Sequence, residues 1–377
     1  MGGPLEGIRI VEFTSHISGP YAGLLLSDMG ADVIKVEPPT GDAMRRHQPM
    51  FQGVSATFYA LNRGKRSVVL DLRDPEGLAS AHRLVGTADI MLENWRAGVA
   101  DRLGLGQVTL RSDYPALIIA GIRGYSETGA YAGDRALDTT IQAVAGMALR
   151  GADGEPSLIP NILADKTTGL FAANALLASL VRRARTGEGE YVGINMLDAV
   201  LCFQWPDVLR RHTFPALEAV PTDGPPPASR SGFLACGSDG RWFVAVTVGD
   251  DQWVALCNEI EELSPGTSLA TSSHREGVEL TEALRGCFDN VTRDEAVSRL
   301  RRLGMPVAPV NEPSELLDDP RVASSDAIRR VKREGFGTVL EARFDPFSHS
   351  KVVGRGAPKL GEHTVEIVRT LDASPTN

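Results

Sequence analysis

Cysteine is scarce in this 377-residue chain, which has only four and no CxxC pair. Disulfide scaffolds and cysteine-based zinc sites both depend on closely spaced cysteines, so neither is predicted. The seven histidines form no HxH or HExxH motif, and we expect no bound metal. The four cysteines are Cys202, Cys236, Cys257 and Cys287.

Positive charge is also in short supply. The chain has 39 lysines and arginines against 48 aspartates and glutamates, a net charge of −9. Nucleic-acid-binding proteins need clustered basic side chains to neutralise phosphates, so that class is excluded, although a local pocket for a small anion is not. Hydrophobic residues make up 42% of the chain, which excludes wholesale disorder.

No apolar run is long and uninterrupted enough to predict a membrane span. The longest apolar-rich stretch, Leu163–Val181, contains Asp165, Lys166 and Asn174. The N-terminal segment MGGPLEGIRIVEF has no basic region before its apolar residues, so we expect no signal peptide. These features predict a cytoplasmic protein without a membrane partner.

Common nucleotide and nucleophile signatures are missing as well. The loop after the first predicted strand, Thr14–Pro20, has one glycine where dinucleotide binding needs GxGxxG. The chain contains neither GxxxxGK[ST] nor GxSxG. We therefore expect no permanently bound cofactor.

Alternating strand-like and helix-like segments fill the first third of the chain. Ile8–Phe13 and Asp32–Glu37 are short apolar runs, and Gly19-Pro20 predicts a break before a helix over Tyr21–Met29. This alternation is typical of βαβ units and predicts a Rossmann-like α/β domain with a parallel sheet. The other segments are a helix at Pro75–Val85 and strands at Ser67–Leu72, Asp89–Glu93 and Ala116–Ile122.

The second half of the chain mixes helices and strands. Its strongest helix is predicted over Ala164–Ala184, and Tyr191–Met196 is a strand. The Pro-rich segment Pro221–Gly232 predicts a loop or linker. Strands at Arg241–Val248 and Pro306–Val310, with helices between them, predict a smaller α+β domain.

Asp165 is the sharpest single candidate, because it begins a long apolar helix. One interpretation is a helix cap, since a carboxylate in a first turn is stabilised by free N–H groups and the helix dipole. The other is an ionised carboxylate that faces a cleft as nucleophile or base. The residues around it leave both interpretations open.

Basic residues recur near predicted strand ends and in loops. Taken singly, Lys65, Arg66, Arg102 and Arg135 are interpreted as solvated surface charges, whereas together they favour an anionic ligand. Three further arginines could bind an acceptor carboxylate, although surface salt bridges explain them more simply. These are Arg45, Arg46 and Arg123.

Motifs over nearly the whole chain resemble the family III CoA-transferases, which include formyl-CoA:oxalate and carnitine CoA-transferases and the α-methylacyl-CoA racemases. The resemblance begins with GPYA at Gly19–Ala22. The other motifs are GADVIKVEPP (30–39), LNRGKRSVVLDL (61–72), ADIMLENWRAGVADRLGLG (88–106), ALDTTIQAVAG (136–146), TGEGEYVGINMLDAV (186–200), GMPVAPVNEPSELLDDPRV (304–322) and APKLGEHT (357–364).

The resemblance implies a large Rossmann-like domain built from both chain ends, residues 1–220 and 325–377, with residues 221–324 as the smaller domain. It also implies an interlocked homodimer. Asp165 falls on the family's catalytic aspartate, which attacks an acyl-CoA thioester to give a mixed anhydride and then an aspartyl-CoA thioester. The implied substrates are an acyl-CoA donor and a carboxylic acid acceptor.

Nine positions are implied to lie near coenzyme A. They are His16, Ile17, Leu70, Leu72, Arg73, Asn94, Trp95, Arg102 and Arg135. Trp95 could instead be ordinary core, and His16 could be a loop residue without a role. The chain departs from the family pattern at one CoA-contact position, which is Pro38, and in the loop GPPPASRSG at Gly224–Gly232, which lacks a run of glycines.

Two alternatives to CoA transfer remain. The family's racemases pair the aspartate with a histidine, and this chain has Leu137 at that position, with Asp138 beside it. A leucine cannot accept a proton, so transfer is favoured over racemisation. A non-catalytic acyl-CoA-binding homologue is the third possibility, and the presence of Asp165 argues against it.

Overall fold

Two structural units, each with its own apolar core, make up the chain. One contains residues 1–208 and 327–377, and the other contains residues 209–326. The boundaries predicted from the sequence are at residues 220/221 and 324/325. The Pro-rich linker lies outside the described residues, apart from Gly232. The computed structural model describes residues 3–150, 155–206, 213–214, 232–246, 250–260, 284–325, 327–343 and 355–373.

The first unit alternates strands and helices. Its strands are β1 (Arg9–Phe13), β2 (Asp32–Glu37), β3 (Met50–Phe51), β4 (Val54–Ser55), β5 (Arg66–Val69), β6 (Ile90–Glu93), β7 (Ile118–Arg123), β8 (Leu149–Arg150), β9 (Pro156–Ser157) and β10 (Tyr191–Asn195). Its helices are α1 (Ser18–Asp28), α2 (Ala56–Asn62), α3 (Pro75–Val85), α4 (Val99–Arg102), α5 (Gln107–Asp113), α6 (Asp138–Val144), α7 (Leu163–Thr186) and α8 (Met196–Gln204), with a 3₁₀ helix at Ala43–Arg46.

Six of these strands form one parallel sheet in the order β10-β7-β6-β1-β2-β5. Alternate residues of each strand point to opposite faces. Ile10 packs in the apolar cluster that contains α1 and α7 residues, whereas Val11 packs in the cluster on the other face, with α3 and α5 residues. The prediction of a parallel sheet in a mixed α/β fold is confirmed.

The C-terminal segment belongs to this first unit. It contributes an antiparallel hairpin of β14 (Ile328–Arg333) and β15 (Gly337–Ala342) and a final helix, α12 (Thr364–Ala373). Ile367 and Leu371 of that helix are buried in the same cluster as Val11.

One helix boundary differs from the prediction. Helix α1 begins at Ser18, so the prediction that Gly19-Pro20 breaks the chain before the helix is wrong. Pro20 is the third helical residue, where an N–H would have no intrahelical partner, so proline is tolerated there. Helix α7 covers the predicted range with one extra residue at its start and two at its end.

The second unit is built on a three-stranded antiparallel sheet. Its strands are β11 (Gly232–Cys236), β12 (Trp242–Val246) and β13 (Val307–Pro309), in the order β11-β12-β13. Its helices include α9 (Asp250–Glu259), α10 (Arg293–Arg302) and α11 (Pro320–Ser324). Phe233, Phe243 and Phe288 pack against one another in its core.

The sheet order of the first unit marks where a ligand is expected. From β1 the chain builds outward through β2 and β5 on one side, and β6 lies on the other side of β1. Ligands of open parallel sheets bind beyond the carboxyl ends of the strands at such a reversal. Phe13 and Glu93 pair at the ends of β1 and β6, so the loops that follow these two strands meet there.

Candidate active site

The loops after β1 and β6 are joined by one amide side chain. Asn94 Oδ1 accepts a hydrogen bond from the Ser15 backbone N–H at 3.0 Å, and its Nδ2 donates to the Ser15 carbonyl at 2.8 Å. A primary amide that satisfies both backbone groups of one residue fixes that peptide in one orientation. Asn94 therefore holds the β1–α1 loop, residues 14–17.

His16 takes an unusual backbone conformation in this loop. Its φ is +64°, in the left-handed region, which costs a non-glycine residue about 1–2 kcal/mol. Its backbone N–H donates to Asp42 Oδ1 at 3.4 Å, and its side chain is exposed. Left-handed residues persist where surrounding contacts over-determine them, and here those contacts come from Asp42 and from Asn94 on the preceding residue.

A cleft of about 390 Å³ opens beside the loop. Its floor is apolar, with Phe13, Val36 and Leu70, and the Trp95 ring packs against Phe13 at 5.0 Å between ring centroids. Asp71 and Arg73 form an exposed ion pair at 2.8 Å on another wall. The cleft therefore combines an apolar surface with polar groups, as small-molecule sites do.

Asp165 lies in the first turn of α7, as predicted, but it does not cap that helix. The N-cap position is Ile162, which makes no side-chain capping bond. The Asp165 carboxylate instead accepts hydrogen bonds from the Ser18 hydroxyl and backbone N–H, at the start of α1. Its own backbone N–H donates to Asp138 Oδ1 at 3.0 Å. Asp165 thus lies at the N-terminal ends of two helices.

Close packing of the two helices makes this arrangement possible. A Cβ atom on Gly169 of α7 would lie 2.8 Å from the Ser18 carbonyl oxygen and 2.9 Å from Tyr21 Cδ1. Only glycine admits so close an approach without a shift. The absence of a side chain at residue 169 therefore brings Ser18 within reach of Asp165.

The surroundings of Asp165 push its pKa in both directions. Burial raises the pKa of this carboxyl most, and the nearby Asp138 carboxylate raises it further. The Ser18 hydrogen bonds and the His16 side chain oppose the shift, and the resulting pKa lies above the usual value. A carboxylate of raised pKa is more basic and a better nucleophile than one locked in a salt bridge.

The residues predicted to bind CoA separate into three groups. His16, Leu70, Leu72, Arg73 and Trp95 all line the cleft. Two more flank it: Asn94 holds the loop beside it, and Ile17 is buried directly before α1. Arg102, in α4, and Arg135, in the loop before α6, are exposed and do not line the cleft.

Several basic residues interpreted as surface charges are not at the surface. Lys65 is completely buried and contacts Glu12 at 2.9 Å. Arg123 is mostly buried and forms a two-pronged ion pair with Glu93, and Arg45 forms a similar one with Glu37. Arg46, by contrast, is exposed and donates to the Thr40 carbonyl at 2.8 Å. Arg45 and Arg123 are thus already engaged by carboxylates of the chain itself.

Sequence reasoning missed Ser18 and Asp42. Ser18 opens α1, and a hydroxyl at a helix start is a recognisable local signal, but its partner lies 147 residues away. Asp42 caps the 3₁₀ helix by accepting from the Met44 N–H at 2.9 Å, which is also a local signal. Neither signal indicates the contacts with Asp165 and His16.

The part of the chain that the structure describes contains no group of three or more histidine, cysteine, aspartate or glutamate side chains able to hold a metal ion. In the same residues, no helix combines the length and the apolar character needed to cross a bilayer.

Known proteins are similar to this chain over nearly its whole length. CoA-transferase family III matches residues 5–364. The succinate–glutarate CoA-transferase of Agrobacterium fabrum is 33% identical, over 98% of this chain and 96% of that protein. The succinyl-CoA–D-citramalate CoA-transferase of Chloroflexus aurantiacus is 31% identical, over 98% and 94% of the two chains.

A solved structure is similar over the full length. The crystal structure of a CAIB/BAIF family protein from Brucella suis superimposes with a TM-score of 0.86 at 31% identity, over 99% of this chain and 100% of the other. Sequence and fold therefore agree from one end of the chain to the other. The chain belongs to CoA-transferase family III and is an enzyme of the transferase class.

Proposed function

We propose that the enzyme moves coenzyme A from an acyl-CoA thioester to a carboxylic acid, with Asp165 as the nucleophile. One observation carries this proposal above the others. The Asp165 carboxylate is hydrogen-bonded by Ser18, raised in pKa by burial, and free of any arginine or lysine ion pair among the described contacts. The carboxylate can therefore attack a carbonyl carbon without first breaking a salt bridge.

The first half of the proposed reaction loads CoA onto the enzyme. An Asp165 oxygen attacks the thioester carbonyl, the carbon–sulfur bond breaks, and CoA leaves as a thiolate while a mixed anhydride forms. The thiolate then attacks the aspartyl carbonyl. The donor leaves as a free carboxylate, and Asp165 becomes an aspartyl-CoA thioester.

The second half reverses these steps with the acceptor. The acceptor carboxylate attacks the aspartyl carbonyl and displaces the thiolate, which gives a second mixed anhydride. The thiolate attacks the acceptor carbonyl, and the Asp165 carboxylate is regenerated with the new acyl-CoA. No proton or electron is gained or lost, so the cycle needs no permanent cofactor.

Oxyanions form at each attack and need hydrogen-bond donors. The Ser18 hydroxyl and N–H and the N-terminal ends of α1 and α7 supply such donors beside Asp165. For the CoA portion, we propose that Trp95, Leu70 and Leu72 provide the apolar wall of the cleft. Arg73, which lines the cleft, is proposed to contact the phosphates. Arg102 and Arg135, which do not line it, are proposed for the same role on the family resemblance alone.

The substrate class follows from the relatives. The two curated relatives named above carry succinate or succinyl-CoA in their names, so we propose a short dicarboxylyl-CoA such as succinyl-CoA as donor. An interlocked homodimer and a cytoplasmic location both stay predictions, and light scattering of the purified protein would test the first.

Intact-protein mass spectrometry tests the proposal. The enzyme is incubated with a panel of acyl-CoA thioesters that includes succinyl-CoA and formyl-CoA, with Asp165→Ala as the control. A CoA adduct or hydroxylamine-trapped product that maps to Asp165, and is lost in the variant, is expected. No adduct with any donor, together with deuterium incorporation at the α-carbon of a 2-methylacyl-CoA, would replace transfer by racemisation. Tight CoA binding without either reaction would favour a non-catalytic homologue.

A further inference from the structure

A buried set of charged side chains lies under the β1–α1 loop. We call it the buried ion network. Lys65 Nζ contacts Glu12 Oε1 at 2.9 Å, and Lys35 Nζ contacts Asp42 Oδ2 at 3.0 Å and Glu12 Oε1 at 3.5 Å. The side chains of Glu12, Lys35 and Lys65 are 0% exposed. Glu37 joins them by accepting from the Asp42 backbone N–H at 3.1 Å, and it pairs with Arg45. The network consists of Glu12, Lys35, Glu37, Asp42, Arg45 and Lys65.

The network is electrically balanced, with three cations and three carboxylates. Balance explains why these charges can be buried, because removing an unpaired ion from water is very costly. It does not explain why they are there, since well-packed apolar residues of the same volume are often at least as stabilising as a buried ion pair. A second role has to be sought in what else the network contacts.

Both lysines also donate to the backbone on either side of the loop. Lys35 Nζ donates to the Thr14 carbonyl at 2.7 Å, at the start of the loop. Lys65 Nζ donates to the Pro20 carbonyl at 2.8 Å, in the first turn of α1. Together with Asp42, which accepts from the His16 N–H, the network contacts the backbone at three points over seven residues.

These contacts bracket the residues that touch Asp165 and line the cleft. Between Thr14 and Pro20 lie His16, with its left-handed φ, and Ser18, the hydrogen-bond donor to Asp165. A charged ammonium donor makes a stronger hydrogen bond than a neutral one, especially away from water. Apolar residues of the same size would leave both carbonyls without this donor.

We infer that Lys35 and Lys65 are positioning residues of the transferase, which hold the Thr14 and Pro20 carbonyls so that Ser18 stays on Asp165 and His16 stays at the cleft. This inference rests on the proposed role of Asp165 as nucleophile. Neither lysine touches the substrate site directly, and both act through the loop. The network thereby links Glu12 of β1, Lys35 of β2 and Lys65, directly before β5, to the loop that places Ser18 on Asp165.

Charge-balanced double variants test the inference with the least risk of unfolding. Lys65→Met with Glu12→Gln removes the donor to Pro20, and Lys35→Met with Asp42→Asn removes the donor to Thr14 but keeps an acceptor for the His16 N–H. The matched control is Arg63→Met, which removes a nearly buried cation of the same unit at the far end of α1. Its partner Asp28 also contacts Arg343 at 3.3 Å, so a counter-charge for that carboxylate is kept.

Two readouts are taken on each folded variant: the rate of CoA-adduct formation from succinyl-CoA, and the distance between Ser18 Oγ and Asp165 Oδ1 in its crystal structure. We expect both network variants to lose about 10- to 100-fold in rate, the size of effect that a misplacement of about 1 Å causes, with Ser18 displaced. The control is expected to lose stability but to keep its rate. Wild-type rates in the network variants, or an equal loss in the control, would overturn the inference.

Hydrogen exchange of the wild-type enzyme gives an answer even if the variants do not fold. A held loop predicts that the His16 amide exchanges as slowly as the amides of β1. Exchange at the rate of an exposed loop would refute the inference. If the wild-type enzyme forms no adduct with any donor, the proposed nucleophile is wrong, whereas the Ser18–Asp165 distance in the variant crystal structures still decides whether the lysines hold the loop.

Discussion

Two carboxylates of the first unit, Glu93 and Asp165, show how the partners of an acidic group decide what it can do. Burial is the main cause of a raised pKa in both. Glu93, at the end of β6, accepts two hydrogen bonds from the Arg123 guanidinium, at 2.6 and 2.9 Å. It also accepts one from the Trp95 backbone N–H at 2.7 Å. Asp165 has a serine instead of an arginine, and a second carboxylate, Asp138, nearby.

The difference separates a structural carboxylate from a reactive one. Glu93 fixes Trp95 and connects β6 to β7 through Arg123, so its negative charge is neutralised by an ion pair within the fold. The donors to Asp165 are neutral, and they can bind the oxyanion of an attacked carbonyl as well as the resting carboxylate. Burial alone therefore does not identify a nucleophile, and the chemistry of the donors does.

The largest expected effect on activity is that of Asp165→Asn. An amide cannot form the anhydride, so kcat should fall at least about 10⁴-fold, a loss typical of removing a catalytic nucleophile. The fold should persist, because the asparagine can still accept from Ser18. Steady-state kinetics and circular dichroism measure both quantities. Substantial residual turnover would mean that Asp165 is not the reactive carboxylate and that it does not differ from Glu93 in this respect.

Glu93→Gln should show the opposite profile, with a large loss of stability. Removing Glu93 leaves Arg123 with only the partly exposed Glu127, at 3.2 Å, as a counter-charge, and should cost up to about 3–5 kcal/mol of unfolding free energy. Urea denaturation measures this cost. The double variant Glu93→Gln with Arg123→Met is the control and should recover much of the stability. A folded Glu93→Gln enzyme as inactive as Asp165→Asn would erase the distinction between the two sites.

Two variants should move the acid limb of the pH profile in opposite directions. Attack requires ionised Asp165, so kcat/KM falls as the pH drops through its pKa. Ser18→Ala removes hydrogen bonding that lowers this pKa, so the limb should move to higher pH. Asp138→Asn removes a like charge that raises it, so the limb should move to lower pH, while the amide oxygen still accepts from the Asp165 N–H.

The pH dependence of kcat/KM from acidic to neutral pH is the measurement, with the wild-type enzyme as reference. A shift of both variants in the same direction, or no shift in either, would assign the acid limb to a group other than Asp165.

The smallest effect is expected for Gly169→Ala, which tests the approach of α1 to α7. Overpacking against the Ser18 carbonyl should cost about 1–3 kcal/mol, against roughly 1 kcal/mol gained when alanine replaces a helical glycine. A modest net destabilisation and a lower kcat are expected from thermal unfolding and kinetics. Gly133→Ala, where no atom lies within 4 Å, should leave both unchanged. An unaltered kcat in Gly169→Ala would show that Ser18 keeps its place without this close contact.

Local sequence patterns were enough to predict most of the sheet and the helix that carries Asp165. Short β-branched runs separated by helix-length segments lead to β1, β2, β6 and β7, since this periodicity reports burial on both faces of a sheet. The start of α1 was predicted wrongly at Tyr21, because the Gly-Pro pair was interpreted as a break rather than as part of a first helical turn.

The sequence by itself determined the α/β class, the position of Asp165 in a first helical turn and, through its motifs, the family. Only the tertiary structure decided the partners: Ser18 on Asp165 across 147 residues, and Lys65 buried against Glu12 across 53. Local patterns record the preferences of one residue and its neighbours along the chain. Whether a lysine is solvated or buried, and whether an aspartate caps its own helix or accepts a hydrogen bond from another, depends on which distant elements pack against it.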